Sequence, residues 1–195
     1  VQDIADFVRR QDGDYYDKHK VCSTERLNSL MANALQLQAA RNHNFHREPK
    51  QTLDMYTESY RLLLHSDVKE ALPKACANLA DAYIQVNDIP GAAKWYRRAL
   101  FLVDSLGLPE KENITLYMGL AQIYLSLHDF HSAQIYYNET ERYFRLMSPQ
   151  MQAYHINNLG NFYYYTKDYA KALATFKRME RLLIDRGMSN KFDMY

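Results

Sequence analysis

Three stretches of this chain align without gaps, and this internal repetition constrains the fold more than any single motif. The aligned positions carry small and aromatic residues at helical spacing. They are Leu79, Ala80, Tyr83, Ile89, Ala92, Tyr96 and Ala99, then Leu120, Ala121, Tyr124, Phe130, Ala133, Tyr137 and Thr140, then Leu159, Gly160, Tyr163, Tyr169, Ala172, Phe176 and Met179. Leu79 and Leu120 are 41 residues apart, and Leu120 and Leu159 are 39 apart. A period of this length predicts a stacked array of helix pairs, in which each repeat contacts only its neighbours.

The charge and hydropathy of the chain argue against nucleic-acid binding and against a membrane span in this segment. The net charge of the 195 residues is +1, without the basic block that phosphate backbones attract, so nucleic-acid binding is disfavoured. No run approaches the roughly 18 apolar residues of a membrane span. Tyrosine is abundant, with 17 residues against one Trp. A tyrosine packs its ring between helices while its hydroxyl reaches water, which suits elements that are buried on one side only.

The two cysteines, Cys22 and Cys76, are too few for a disulfide framework or a cysteine metal site. We therefore interpret both as small buried residues. The cellular compartment is left open.

Each repeat is predicted to consist of helix A, a short turn and helix B. In the best-formed repeat, apolar residues at positions 75, 79, 80, 83 and 84 give helix A one buried stripe. The turn begins at Asn87 and Asp88, and Pro90 suits the first turn of the next helix. Helix B carries apolar residues at 92, 93, 96, 99, 100 and 103 and ends at Gly107, with Gly187 at the same offset 80 residues later.

The small residues predict where the two helices of a pair approach closely, because only Ala or Gly leaves room for the backbones. The expected contact pairs are Ala80 with Ala92, Ala121 with Ala133, and Gly160 with Ala172.

The organisation of the whole chain follows from this register. We expect an N-terminal helix or cap at 1–23, a divergent helix pair at 24–66, three clear repeats at 67–108, 109–148 and 149–188, and the start of a further helix at 189–195. The divergent pair matches the repeat positions poorly, but Pro49 again precedes an amphipathic stretch. Since the last helix has no partner helix or polar cap, we interpret the chain as part of a longer protein.

These features resemble the tetratricopeptide repeat (TPR) family, whose pattern is a Leu-Gly/Ala pair and Tyr in helix A, then Ala, an aromatic residue and Ala in helix B. All three clear repeats carry the first four features, over roughly residues 73–187, and the last Ala survives only as Ala99. The period exceeds the family's usual 34 residues. Longer repeats of this kind resemble those of bacterial regulatory proteins and kinesin light chains.

The resemblance implies an all-α fold, a right-handed superhelical solenoid of stacked antiparallel helix pairs whose concave face is lined mainly by helix A. By register, the candidate ligand-binding residues are Asn78, Asp81, Gln85, Gln122, Tyr154, Asn157, Asn158, Asn161, Tyr164 and Tyr165. Further inward positions are Gln38, Arg41, Lys74, Ala77, Thr115, Met118 and Leu125.

Members of the family bind peptides in two modes, and this chain fits them differently. The carboxylate clamp of chaperone-binding members needs Lys and Asn where this chain has Ala77 and Asp81, and Asp81 would repel a carboxylate. The second mode uses Asn side chains to hold a peptide backbone, because an amide donates and accepts at once. Asn78 and Asn158 share one offset, although Gly119 interrupts the row between them. The alternative is that these are solvated polar residues on a helix face.

The strongest single patch combines Asn157, Asn158 and Asn161 with Tyr154, Tyr164 and Tyr165. Tyrosine and asparagine together supply rigid contact area and adaptable hydrogen bonds, which binding surfaces favour. We expect some of these tyrosines to belong to the core.

No enzyme, cofactor or metal site is expected. Two histidine pairs, His43 with His46 and His128 with His131, lie three apart near turns, but no third ligand is positioned. We interpret these histidines as exposed turn residues. The chain has no phosphate loop, no nucleophile elbow and no Cys–His pairing with supporting context.

The sequence therefore predicts a non-catalytic module that binds a protein or an extended peptide segment in a concave groove. More specifically, it resembles the sensory or interaction region of a larger bacterial regulator. If that regulator is membrane-anchored, the module lies in the cytoplasm or the periplasm. The alternative is a structural scaffold that self-associates through its open C-terminal end or packs onto a downstream domain.

Overall fold

The computed structural model describes residues 23–44 and 48–187, and all of its regular structure over these residues is helical. The eight α-helices are α1 Thr24–Asn44, α2 Pro49–Leu64, α3 Leu72–Gln85, α4 Ile89–Ser105, α5 Asn113–Ser126, α6 Phe130–Arg142, α7 Pro149–Tyr165 and α8 Tyr169–Asp185. Short 3₁₀ turns at Lys69–Ala71, Glu110–Glu112 and Phe144–Leu146 precede or follow them. The predicted all-α class of paired, stacked helices is confirmed, and the handedness of the superhelix stays a prediction.

Several predictions fall where the structure is not described. These are the N-terminal helix or cap at 1–23, of which only residue 23 is described, the further helix at 189–195, Cys22 and His46.

The helices form two compact units, one up to Pro109 and one from Glu110. In the first unit, α1 packs on α2 and α3 on α4, and α2 also packs on α3, so the two pairs stack. In the second unit, α5 packs on α6 and α7 on α8, while α7 contacts both α5 and α6. We refer to the first helix of each pair as helix A and to the second as helix B.

The turn between helix A and helix B is the same in the last three pairs. The residue after the C-cap of helix A adopts a left-handed backbone, with φ of 61° at Asn87, 57° at His128 and 64° at Lys167. An aspartate follows and caps helix B by accepting the backbone N–H three residues on, in the pairs Asp88–Gly91, Asp129–Ser132 and Asp168–Lys171. The turn predicted at Asn87 and Asp88 is confirmed. The cap supplies a partner for an N–H that the first turn of a helix would otherwise leave unpaired.

Glycine ends helix B, as predicted, in two of the pairs. Gly107 and Gly187 each have φ of 62° and directly follow Leu106 and Arg186, the C-cap residues of α4 and α8. A left-handed residue at this position closes the last helical turn, and glycine adopts it without strain.

The small residues of the repeat lie in the core. All six members of the expected contact pairs are buried: Ala80, Ala92, Ala121, Ala133, Gly160 and Ala172. Cys76 is buried too, as predicted. Burial raises the pKa of its thiol to about 12, outweighing the opposite influence of the Arg98 charge.

The predicted stripe of α3 is wrong at one position. Ile84 is exposed, whereas Ala82 is buried. The buried face runs along Ala75, Leu79 and Ala82, and Ile84 lies two residues beyond Ala82. Two residues turn a helix by about 200°, which carries Ile84 to the outer side.

Gly160 shows why the close approach needs a small residue. A Cβ atom added there would lie 2.6 Å from Cε1 of Phe176, a side chain of the partner helix α8. The missing methyl group therefore leaves the space that the Phe176 ring occupies.

We expect Gly160→Ala to destabilise the protein by about 1 kcal/mol. Overpacking a core costs about 1–3 kcal/mol, and the better helix propensity of Ala returns up to about 1. In a Phe176→Leu background, the same change should be neutral or stabilising, because the ring that it strikes is gone. Urea unfolding of the wild type, the two single variants and the double variant measures both effects. An equal loss of unfolding free energy in the two backgrounds would contradict this account.

Candidate functional site

In the first unit, the candidate residues lie on α3 and are half-buried. The Asp81 carboxylate accepts a hydrogen bond from the Tyr96 hydroxyl of α4. Burial raises the pKa of Asp81, and the Tyr96 hydrogen bond and the His43 charge oppose this only in part. Gln85 donates from Nε2 to the backbone carbonyl of His43 at 3.2 Å. Asp81 therefore connects α3 to α4, and Gln85 connects α3 to α1. The Asn78 side chain makes no hydrogen bond within the described ranges.

His43 corrects one prediction from the sequence. It was expected as an exposed turn residue, but it lies in the last turn of α1 and is half-buried. Among the described residues, neither its Nδ1 nor Oε1 of Gln85 has a hydrogen-bond partner, although both atoms are buried. The physical reason is that the end of α3 covers this end of α1, as the Gln85 hydrogen bond shows.

In the second unit, one face of α7 carries most of the predicted patch. Tyr154, Tyr164 and Tyr165 are 54%, 57% and 56% exposed, and Asn157 and Asn161 are half-buried beside them. The spacing 154, 157, 161, 164 places these residues along one side of the helix. The expectation that some of these tyrosines belong to the core is wrong, because all three project from the helix.

Asn158 differs from its neighbours in the patch. It is only 7% exposed, because it lies on the side of α7 that also carries the buried residues His155, Leu159 and Phe162. Its amide offers little surface to a ligand. On α5, Gln122 is half-buried and makes no hydrogen bond to any residue that the structure describes.

Two further positions expected on the inward face are buried instead. Met118 packs with Ile114 and Met147, and Leu125 packs in the cluster of Ala121 and Tyr137. Residues 114, 118, 121 and 125 follow one helical stripe, which α5 turns towards its own core.

The structure adds a neighbour to the tyrosines that the sequence did not assign to a site. Tyr169 begins α8 and is exposed, whereas the aligned residues Ile89 and Phe130 are half-buried. The Tyr164 ring lies edge-on to Tyr165 at 5.9 Å and to Tyr169 at 5.7 Å, measured between ring centroids. We call Tyr164, Tyr165 and Tyr169 the tyrosine cluster. Its aromatic surface is held in place by contacts among its own members.

A charged network inside the second unit was missed by sequence reasoning. Glu141 of α6 accepts from Arg178 of α8 at 2.7 Å and pairs with Nε2 of His155 of α7 at 2.7 Å. The His155 side chain is fully buried. The Arg178 guanidinium also lies 4.2 Å from the centroid of the Phe144 ring. Because the three ionisable groups come from three helices, no local spacing in the sequence marks them.

The network sets the ionisation of Glu141. Burial would raise the pKa of its carboxyl group, but the hydrogen bonds from His155 and Arg178, together with the charge of Arg178, hold it below its usual value. A charged carboxylate therefore links the three helices at neutral pH.

Over the described ranges, no three His, Cys, Asp or Glu side chains come together as a metal site would need. His128 and His131 lie exposed at the start of helix B, with the His128 ring 5.9 Å from that of Phe130. None of the helices described here is long and apolar enough to cross a membrane.

The fold and this site define a class of protein, the helix-pair repeat proteins. Two family models match the chain, both described as tetratricopeptide repeat, one over residues 75–110 and the other over 114–139. These matches cover α3 to α6 apart from the first three residues of α3, the first residue of α5 and the last three residues of α6. Residues 75–110 and 114–139 are therefore tetratricopeptide repeats, which indicate a protein-interaction module and are typically non-catalytic.

The same fold occurs in solved structures, 33 chains of which match. One is the crystal structure of BtubC (BKLC) from P. vanneervenii, with a TM-score of 0.74 and 19% sequence identity over 94% of this chain and 78% of that one. At this identity the likeness shows the fold alone. A search of curated proteins by sequence found no match.

We expect the network to make stability depend on acidity. Because the pKa of Glu141 is lower in the folded protein than in the unfolded chain, its ionised form stabilises the fold above the unfolded value of about 4.3. That contribution is lost as the pH falls through the lower folded value. We measure the free energy of unfolding in urea at neutral pH and at pH values below about 4. As the pH falls, the free energy of unfolding should decrease less for Glu141→Gln than for the wild type.

Glu139→Gln is the matched control, because Glu139 lies on the same helix and pairs with Arg142 at the surface. Such exposed pairs contribute little to stability. If the two variants had the same acid profile, the network would not be the source of the effect.

Proposed function

We propose that the helix-A face of α7 binds an extended segment of a partner protein. The observation that carries this proposal is the row of exposed Tyr154, Tyr164 and Tyr165 beside Asn157 and Asn161 on one side of the helix. Tyrosine rings supply contact area at a low cost in conformational entropy, and amides pair with the N–H and C=O groups of a peptide backbone. Gln122 on α5 would extend the polar part of this face, and Asn158 would contribute little because it is buried.

The helix-A face of the first unit is proposed to act in the same way with fewer contacts. Asn78 is the candidate whose amide is available for a peptide. Asp81 is already hydrogen-bonded to the Tyr96 hydroxyl, and Gln85 to the backbone carbonyl of His43. These two residues would therefore set the shape and charge of the face more than bind a peptide directly. A partner that presents its own carboxylate beside Asp81 would be disfavoured.

Peptides selected by display against the protein would test this proposal. For a selected peptide, we expect Tyr164→Ala with Asn161→Ala to weaken binding in calorimetry at least tenfold, or about 1.4 kcal/mol. The matched control is Phe101→Ala with Asn138→Ala, which removes an aromatic ring of equal exposure, 57%, and an exposed amide from helix-B positions.

The control should leave the affinity unchanged. Equal loss in both variants, or full affinity in the first, would refute binding by this face of α7.

The alternative function is a structural scaffold that self-associates. Exposed apolar residues on α8 favour it: Tyr169, Leu173 and Ile184 are each more than half exposed. Sedimentation of the wild type and of Leu173→Lys, compared with the peptide-binding results for Tyr164→Ala with Asn161→Ala, separates the two functions. If Leu173→Lys dissociated a dimer while the Tyr164 substitution left the affinity for every selected peptide unchanged, we would conclude that the protein is a scaffold and not a peptide-binding module.

We further propose that this module is the interaction region of a larger bacterial regulator. The support is the repeat length of about 40 residues, which resembles that of regulatory members of the family more than the usual 34. The complete open reading frame tests this step. An output module encoded in the same frame is expected, and a frame that encodes helix pairs alone would contradict it.

A further inference from the structure

A cavity of about 440 Å³ lies in the second unit, on the side of α8 that faces the Phe144–Leu146 turn. Its base is apolar and consists of Phe144, the buried Ile156 of α7 and Leu182 of α8. The volume falls within the range of binding pockets, about 300–1,000 Å³. It is large enough to take more than one side chain of a ligand.

One face of α8 forms the long wall of this cavity. The lining positions on this helix are 174, 177, 178, 181, 182 and 185, which share one side of an α-helix. From 174 to 185 the helix rises about 16 Å at ~1.5 Å per residue. An extended peptide covers that distance in about five residues. A single small anion would occupy only a fraction of the wall.

The wall is cationic. It carries Lys177, Arg178 and Arg181 against one acid, Asp185. Arg178 donates a hydrogen bond to Glu141, and its guanidinium lies over the Phe144 ring. These two contacts fix the position of the Arg178 side chain. Lys177 and Arg181 are four residues apart on the same side, and neither forms an ion pair with any residue that the structure describes. Two cations that have no ion-pair partner among the described residues therefore line the cavity beside its apolar base.

We propose that this cavity is a second protein-binding site, which takes an extended acidic segment of a partner. A carboxylate of the segment would lie between Lys177 and Arg181, and a neighbouring apolar side chain would enter the base formed by Phe144, Ile156 and Leu182. The charge of the wall selects an acidic over a neutral segment, and the apolar base selects a peptide over a nucleic acid, whose phosphates would leave it empty.

The site is separate from the proposed peptide-binding face. It lies along helix B of the last pair, whereas the tyrosines and asparagines follow helix A. No residue that lines the cavity belongs to the patch of α7 described above. Loss of one site should therefore leave the other intact.

Fluorescence anisotropy with a labelled peptide that contains two Asp-Leu steps tests the proposal on the full chain. We expect binding that weakens as the salt concentration rises, because exposed charge pairs are screened. Replacing Asp by Asn in the probe, or Leu by Ala, should each lower the affinity. Lys177→Glu with Arg181→Glu should lower it at least tenfold.

The matched control is Lys50→Glu with Lys94→Glu, which changes the net charge equally at exposed helix-B positions of the first unit. It should keep the affinity within about twofold, since distant surface charges are screened. Amide chemical-shift changes should map to α8 and the Phe144–Leu146 turn. Equal loss in both double variants, shifts confined to α7 at 154–165, or tighter binding of a single-stranded oligonucleotide at the same residues would overturn the proposal.

Discussion

The close approach of two helices at an alanine or a glycine is the contact on which every clear repeat depends. At Gly160 the space that a methyl group would need is filled by the Phe176 ring. At the equivalent positions 80 and 121 an alanine is fully buried. The left-handed turn residue and the aspartate cap then determine where helix B begins, so the small residue meets its partner helix in register. Packing and turn chemistry agree in each repeat, which is what makes such a fold specific.

Once helix A and helix B are packed, each has an outer face that the pair does not bury. In the last pair these two faces differ in chemistry. The face of α7 carries tyrosine rings and amides, whereas the wall on α8 carries cations above an apolar base. A neutral extended backbone suits the first and an acidic segment suits the second. The pair therefore offers two chemically distinct surfaces.

Much of this architecture was predictable because it depends on local rules. Asn87 and Gly107 mark left-handed positions, and the repeated small residues mark close contacts, so turns and helix pairs follow from spacing alone. The candidate site was less predictable, because exposure depends on which side of a helix its neighbours cover. Ile84 was expected to be buried and is exposed, whereas Asn158 was expected on the binding face and is buried. A shift of one or two residues along a helix is enough to move a side chain from one face to another. The network of Glu141, His155 and Arg178 joins three helices, and no local pattern reveals such a group.

That network also gives the Nε2 atom of the buried His155 a hydrogen-bond partner. The contribution of the network here is geometric, because Glu141 holds Arg178 over the Phe144 ring and joins α6 to both helices of the last pair. Because Arg178 is paired with Glu141, the charge available to the proposed acidic ligand would come from Lys177 and Arg181. The same arginine thus shapes the base of the cavity and leaves its cationic wall to the neighbours one and three residues away along α8.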